Sequence, residues 1–172
     1  RILTINNVTD LSSNEIVANS TISFEYILTE AAANGDIVVN EFYASPNSES
    51  AIPNVEFVEL FNRSEKFINL ENWTLSDQSG ASGSFGSFII RPDSFVILTE
   101  TDNGSLFDDN GDWLEVGNFP SLNNNGDSII ISNSSATIIH EIAYTSSTSG
   151  ITTELINPNG PDYSFRNYGL ST

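Results

Sequence analysis

The chain has no cysteine, no methionine, one histidine, and only five lysine and arginine residues among 172. Without cysteine there is no disulfide staple, thiolate metal site, iron–sulfur cluster or cysteine nucleophile. A single histidine, His140, excludes a metal centre built from several imidazoles. Neither a Gly-x-Ser-x-Gly elbow nor a His-Glu-x-x-His helix motif occurs. Positive charge is scarce: 23 Asp and Glu outnumber five Lys and Arg, for a formal net charge of -18. Such a surface repels a contiguous phosphate backbone, so neither nucleic acid nor an anionic membrane is an expected partner. No apolar run is long enough to cross a bilayer as a helix, so direct membrane insertion is not expected. Lysine occurs once, at Lys66, while Asn, Ser and Thr abound. This composition points to an extracellular or cell-surface location in a bacterium. The chain opens at Arg1 inside a strand-like run and reads as an excised piece or mature fragment; a removed signal peptide would leave no trace.

What is present suffices for a packed core. Hydrophobic residues make up 38%, with eleven Phe and two Trp, which argues against global disorder. The dominant pattern is a series of short strand-like runs rich in β-branched and aromatic residues. They fall at 21–28, 37–43, 55–61, 67–70, 73–75, 84–90, 95–99, 128–131 and 136–144. Turn signals separate them: Asn34-Gly35, Asn103-Gly104, Asn110-Gly111, Asn125-Gly126 and Asn159-Gly160. Only Leu28–Asn34 has a helical flavour, and its length suits a linker or a single turn. Many short strands without intervening helices predict an all-β sandwich with Greek-key connections. A boundary near Ala31–Gly35 divides N-terminal strands (1–33) from the sandwich (34–160), and a Pro-containing tail (161–172) follows. Two or three strands in the first part are too few for an independent sheet unless something covers them.

A spaced series of motifs, in order, carries a family resemblance. It comprises Ile37-Val38-Val39-Asn40-Glu41, Val55-Glu56-Phe57-Val58-Glu59-Leu60-Phe61-Asn62 and Ile68-Asn69-Leu70-Glu71-Asn72-Trp73-Thr74-Leu75-Ser76-Asp77. It continues with Phe95-Val96-Ile97-Leu98-Thr99, Asn123-Asn124-Asn125-Gly126-Asp127-Ser128-Ile129-Ile130-Ile131 and Ile138-Ile139-His140-Glu141-Ile142-Ala143-Tyr144. Residues 37–160 resemble the lamin-tail domain of the bacterial secreted type. One departure is Pro92-Asp93, where the family often has a turn glycine. The resemblance implies an immunoglobulin-like β-sandwich without catalytic activity, serving as an accessory module in a larger secreted protein. Its partners would be neighbouring domains of the same polypeptide. Residues 1–28 resemble the last strands of a bacterial immunoglobulin-like repeat. Nuclear members of the family are associated with DNA and chromatin proteins, a role that this chain's charge opposes.

Three groups of residues invite chemistry. Glu41, Glu56 and Glu59 lie in strand patterns. Strand parity sends Glu56 and Glu59 to opposite faces and puts Glu41 half-buried beside Val39. Their ordinary role is hydrogen-bond acceptance, from Asn40, Asn62 or Arg63; ligand contact by Glu41 and Glu59 is the alternative. Asp108, Asn110 and Asp112 place oxygens at alternate positions of an acidic loop, as a Ca2+ ion would need. The loop is no EF-hand, and a solvated loop explains the same letters. Asp127, after another turn, is a more distant contributor. Trp113, beside the loop, reads either as a stacking surface for a sugar or as the loop's hydrophobic anchor; Trp73 reads as core and His140 as a strand residue. The Asn-x-Ser/Thr triplets at Asn7, Asn19, Asn62, Asn72, Asn103 and Asn133 follow from composition. Three functional readings result, in order of preference: a non-catalytic structural, adhesion or attachment module; a glycan- or protein-binding module assisted by calcium, which is not otherwise required; and a carboxylate-dependent hydrolase.

Overall fold

The computed structural model describes residues 2–160 and 164–168. Strands form where apolar runs are bracketed by turn-formers. Two of them, β1 (Ile2–Ile5) and β2 (Ser20–Ser23), pair antiparallel as a sheet of their own. The rest are β3 (Ile37–Tyr43), β4 (Phe57–Asn62), β5 (Ile68–Asn69), β6 (Thr74–Ser76), β7 (Ile89–Ile90) and β8 (Ser94–Glu100). After a 3-10 turn at Gly104–Phe107 come β9 (Trp113–Val116), β10 (Asp127–Ser132), β11 (Ile138–Tyr144), β12 (Thr152–Leu155) and β13 (Phe165–Tyr168).

These strands build an all-β sandwich of the immunoglobulin-like type. One layer is a six-stranded sheet in the order β13-β12-β3-β4-β8-β9, antiparallel except for the β8–β9 pair. The other contains the three-stranded sheet β11-β10-β6 and the short pair β5-β7. In the six-stranded sheet β3, β4 and β8 are successive antiparallel neighbours and β12 returns by a long connection to lie beside β3, which is the Greek-key pattern. The core lies between the layers: Val39, Phe42, Val58, Leu60, Val96 and Leu98 meet Leu75, Ile129, Ile131, Ile139 and Trp73. Burying such side chains stabilises the fold by about 2 kcal/mol each.

His140 ties the layers together. Its Nδ1 accepts a hydrogen bond from the Val39 amide of the facing sheet at 3.0 Å. Burial first, and the Arg63 charge second, push its pKa down to about 4, so the ring is a neutral structural acceptor at ordinary pH. At Gly126 the backbone is left-handed (φ 113), and a Cβ there would lie 2.9 Å from the Tyr144 carbonyl oxygen. That close approach closes the turn into β10. Asp93, where a turn glycine was expected, itself adopts φ 52, a conformation that Asp tolerates better than most residues.

Several elements differ from expectation. The run 21–28 predicts a half-buried strand, but only its beginning pairs, and Ile22, Phe24, Tyr26 and Leu28 are exposed. Two paired strands offer no second layer to cover them. Leu28–Asn34, read as a linker or a single turn, is an extended linker. Thr29 bridges Phe67 in parallel, the Glu30 amide donates to the Phe67 carbonyl at 2.9 Å, and Ala32 packs on the core. Strands β9, β12 and β13 carry no apolar run that marks them. The six-stranded sheet therefore continues past residue 160, where a tail was expected; the tail's residues 161–163 and 169–172 lie outside the described residues.

Candidate functional site

The outer face of the six-stranded sheet, turned away from the main core, carries the most concentrated chemistry. A β-bulge creates it. The register of β3 on β4 shifts between Val39 and Glu41, so Asn40 is an extra residue. Simple parity puts Glu41 on the same side as Val39; the bulge moves it to the opposite face. Glu41 then stands directly across from Glu59 on β4 and from Glu154 on β12. The same row continues through all six strands: Arg166, Glu154, Glu41, Glu59, Ile97 and Trp113, one per strand.

Like charges directly opposite one another are destabilising, and each carboxylate of the row has a different answer. Glu154 accepts a hydrogen bond from Arg166 Nη2 at 3.0 Å. Glu41 is held above the usual carboxylate range by burial, against a hydrogen bond from Thr152 and with Glu154 adding to the rise. Glu59 accepts a 2.8 Å bond from Asn40 Nδ2. Burial, reinforced by Glu41 and Glu154, nevertheless pushes Glu59 up to about 7. The partner of Glu59 is therefore Asn40. Asn62 donates to the Lys66 and Arg91 carbonyls, and Arg63 to the Gly35 and Gly160 carbonyls.

Glu41 and Glu59 form the floor of a groove of about 550 Å3. Its walls are largely apolar: Ile52 and Pro53 from the β3–β4 connection, Phe57 and Ile97 from the sheet, and Leu106 and Phe107 from the 3-10 turn. Asn110 and Thr152 complete it. A second space of about 320 Å3, lined by Asp93, Ser94, Asp112 and again Glu59, Ile97 and Asn110, adjoins it. Tyr43, Phe57, Ile97 and Phe107 make a small hydrophobic cluster beneath, on which Trp113 packs.

The acidic loop is folded against this cluster. Trp113 Nε1 donates to Asp108 Oδ1 at 2.9 Å, and the Gly104 amide donates to Glu115 Oε1 at 2.9 Å. Of the three residues expected to ligate calcium, Asp108 is bonded to Trp113, Asn110 lines both the groove and the adjoining space, and Asp112 lines the adjoining space with it. Among the described residues no three Asp, Glu or His side chains gather as a metal-ion site. Trp113 is half-buried and anchors the loop. Glu56 leaves Glu59 as parity requires and accepts from the Leu122 amide at 3.2 Å; burial, with Asp127 adding, pushes it up to about 7. Asp127 is buried at the first position of β10. Against the upward push of burial, hydrogen bonds from Asn123, Ser128 and Gln78 hold its carboxyl below the usual range. It takes no part in the groove. Thr152 and the apolar walls, with Glu154 beside Glu41 in the row, are what sequence reasoning missed. The bulge and the pairing of β12 leave no local mark that would have found them.

Residues 30–146 match the family model of the Lamin Tail Domain. The chain belongs to the lamin tail domain family. The match covers β3 to β11 and stops before β12, so Glu41, Glu59 and the acidic loop lie inside the matched part of this lamin tail domain, whereas Thr152, Glu154 and Arg166 lie beyond it. No curated protein compared with the chain matches it. The family is a structural, immunoglobulin-like one that is not known for catalysis.

Proposed function

We propose that this lamin tail domain is a non-catalytic structural or attachment module of a larger bacterial surface or secreted protein, with the neighbouring domains of its own polypeptide as its first partners. The observation that carries this reading is the β1–β2 hairpin. Leu3, 51% exposed, stands directly opposite Ile22, 58% exposed, on one face of it, and Ile2, Val8 and Val17 are also open to solvent. An isolated two-stranded sheet is marginal in water, and an apolar face of this kind is normally covered by a partner. A preceding domain that adds strands or a second layer would cover it. The lysine-poor, Asn/Ser/Thr-rich composition supports the extracellular placement, and the charge of -18 speaks against nucleic acid as a partner.

Native-state hydrogen exchange on this chain and on its longer parent polypeptide tests the reading. The β1–β2 amides should exchange freely in the chain alone and slow by about a hundredfold or more in the parent. Equal exchange in both would sink the neighbour-domain part. Protease shaving of intact cells, together with analysis of the medium, tests the location; a protein found only after lysis would refute it. The second reading, a module that also binds a glycan or a protein, is favoured by the groove over Glu41 and Glu59.

A further inference from the structure

The groove over Glu41 and Glu59 pairs a carboxylate floor with apolar walls, and its floor has no cation from this chain among the described residues. Lys66 pairs with Asp36 at 2.7 Å, Arg91 with Glu25 at 3.1 Å, and Arg166 with Glu154 at the end of the row. Arg63 is turned to the Gly35 and Gly160 carbonyls. Among the described residues, the donors that reach the two floor carboxylates are the neutral Asn40 and Thr152. The fold therefore sets two acidic groups opposite each other in a half-enclosed place, with no balancing cation among the described residues.

We propose that this groove receives an arginine side chain of a partner protein, carried between apolar neighbours, with its guanidinium seated between the carboxylates of Glu41 and Glu59. Three features select this occupant. Two carboxylates in direct cross-strand register present acceptors side by side, which suits the planar fork of a guanidinium better than the point charge of an ammonium. A guanidinium is also more weakly hydrated, so it enters a half-buried place at a smaller desolvation cost. The rings of Phe57 and Phe107 and the wall of Ile52 and Leu106 offer apolar surface for the arginine stem and for flanking side chains. A groove of about 550 Å3 has room for more than one side chain, which favours a protein segment over a free small cation. The net charge of -18 adds attraction at long range. This proposal goes beyond the attachment reading and does not depend on the hairpin: the groove lies on the sandwich, on residues outside β1 and β2.

NMR titration of the full 172-residue chain tests it with three probes: acetyl-Leu-Arg-Leu-amide, the same peptide with neutral citrulline in place of arginine, and arginine amide alone. The arginine peptide should shift amides around Glu41, Glu59, Ile97, Phe107 and Asn110, and the citrulline peptide should bind about tenfold or more weakly. Glu59→Gln should weaken the arginine peptide about tenfold while the spectrum stays folded. Ile52→Ser, in the wall and away from the charges, should weaken the peptide but leave arginine amide unaffected. Equal affinity for the arginine and citrulline peptides, shifts confined to other surfaces, or no shift at millimolar peptide would each overturn the proposal. Arginine amide binding as tightly as the peptide would overturn it too, by assigning the groove to a small cation.

Discussion

Glu59 sits behind apolar walls and between two like-charged neighbours, so burial first and then Glu41 and Glu154 resist its ionisation. Its pKa of about 7 in the folded chain lies above the ordinary 4.5 of an unfolded carboxyl. A raised folded value means that the folded state holds the proton more tightly. The contribution to stability is complete below about 4.5 and is lost as the pH rises through about 7. Glu56 behaves in the same way through its own burial and Asp127. Glu59→Gln keeps the shape and removes the ionisation. It should therefore raise stability by on the order of 2 kcal/mol near pH 8 and change it little near pH 4.5, as measured by thermal unfolding across that range. His140 acts in the other direction. Its folded pKa of about 4 lies below the model-peptide value of 6.5, so its contribution is present above 6.5 and is lost as the pH falls through 4. A different constraint holds Gly104, where a methyl group would be driven into the Trp113 ring and towards Glu115. Gly104→Ala should cost about 1–3 kcal/mol of stability and change the fluorescence of Trp113 in the folded state.

At the scale of elements, the least expected piece is β13. It pairs along the whole of β12 and brings Phe165 against Phe42, with ring centroids 5.9 Å apart. Phe165 also packs beside Val38, Phe61 and Leu155. Ending the chain after Gly160 would uncover these side chains, turn β12 into an open edge and remove Arg166 from Glu154. The truncated chain should lose about 2 kcal/mol, read as a lower urea midpoint. Its groove should also become more acidic, because Glu154 loses its ion pair. Strands with a continuous apolar pattern were legible in advance: β3, β4, β8, β10 and β11 fall within a residue or two of their apolar runs. By contrast β12, with Thr152, Thr153 and Glu154, is a strand only because β3 and β13 pair with it on both sides.

The whole molecule carries 23 acidic against five basic residues, and at neutral pH that excess works against compactness. Raising the salt concentration from about 0.02 M to about 0.5 M should therefore increase the melting temperature, because screening weakens the self-repulsion. The same charge should leave duplex DNA unbound in a mobility-shift assay at about 0.15 M salt. A shifted band would show that a local surface overrides the net charge. Composition, charge and turn chemistry are summed or local properties, and these the sequence determined by itself: an all-β chain, the places of its main turns, the lamin-tail motifs from Ile37 to Tyr144, and the large excess of negative charge. The candidate groove is another matter. Glu41 faces Glu59 because a one-residue bulge at Asn40 reverses strand parity, and Glu154 joins them through a strand more than one hundred positions away in the chain. Asp108, Asn110 and Asp112 are neighbours in sequence, yet Asp108 is taken up by the hydrogen bond from Trp113 while Asn110 and Asp112 line the space beside the groove. Register and packing are cooperative, long-range properties, so only the tertiary structure decided which carboxylates meet.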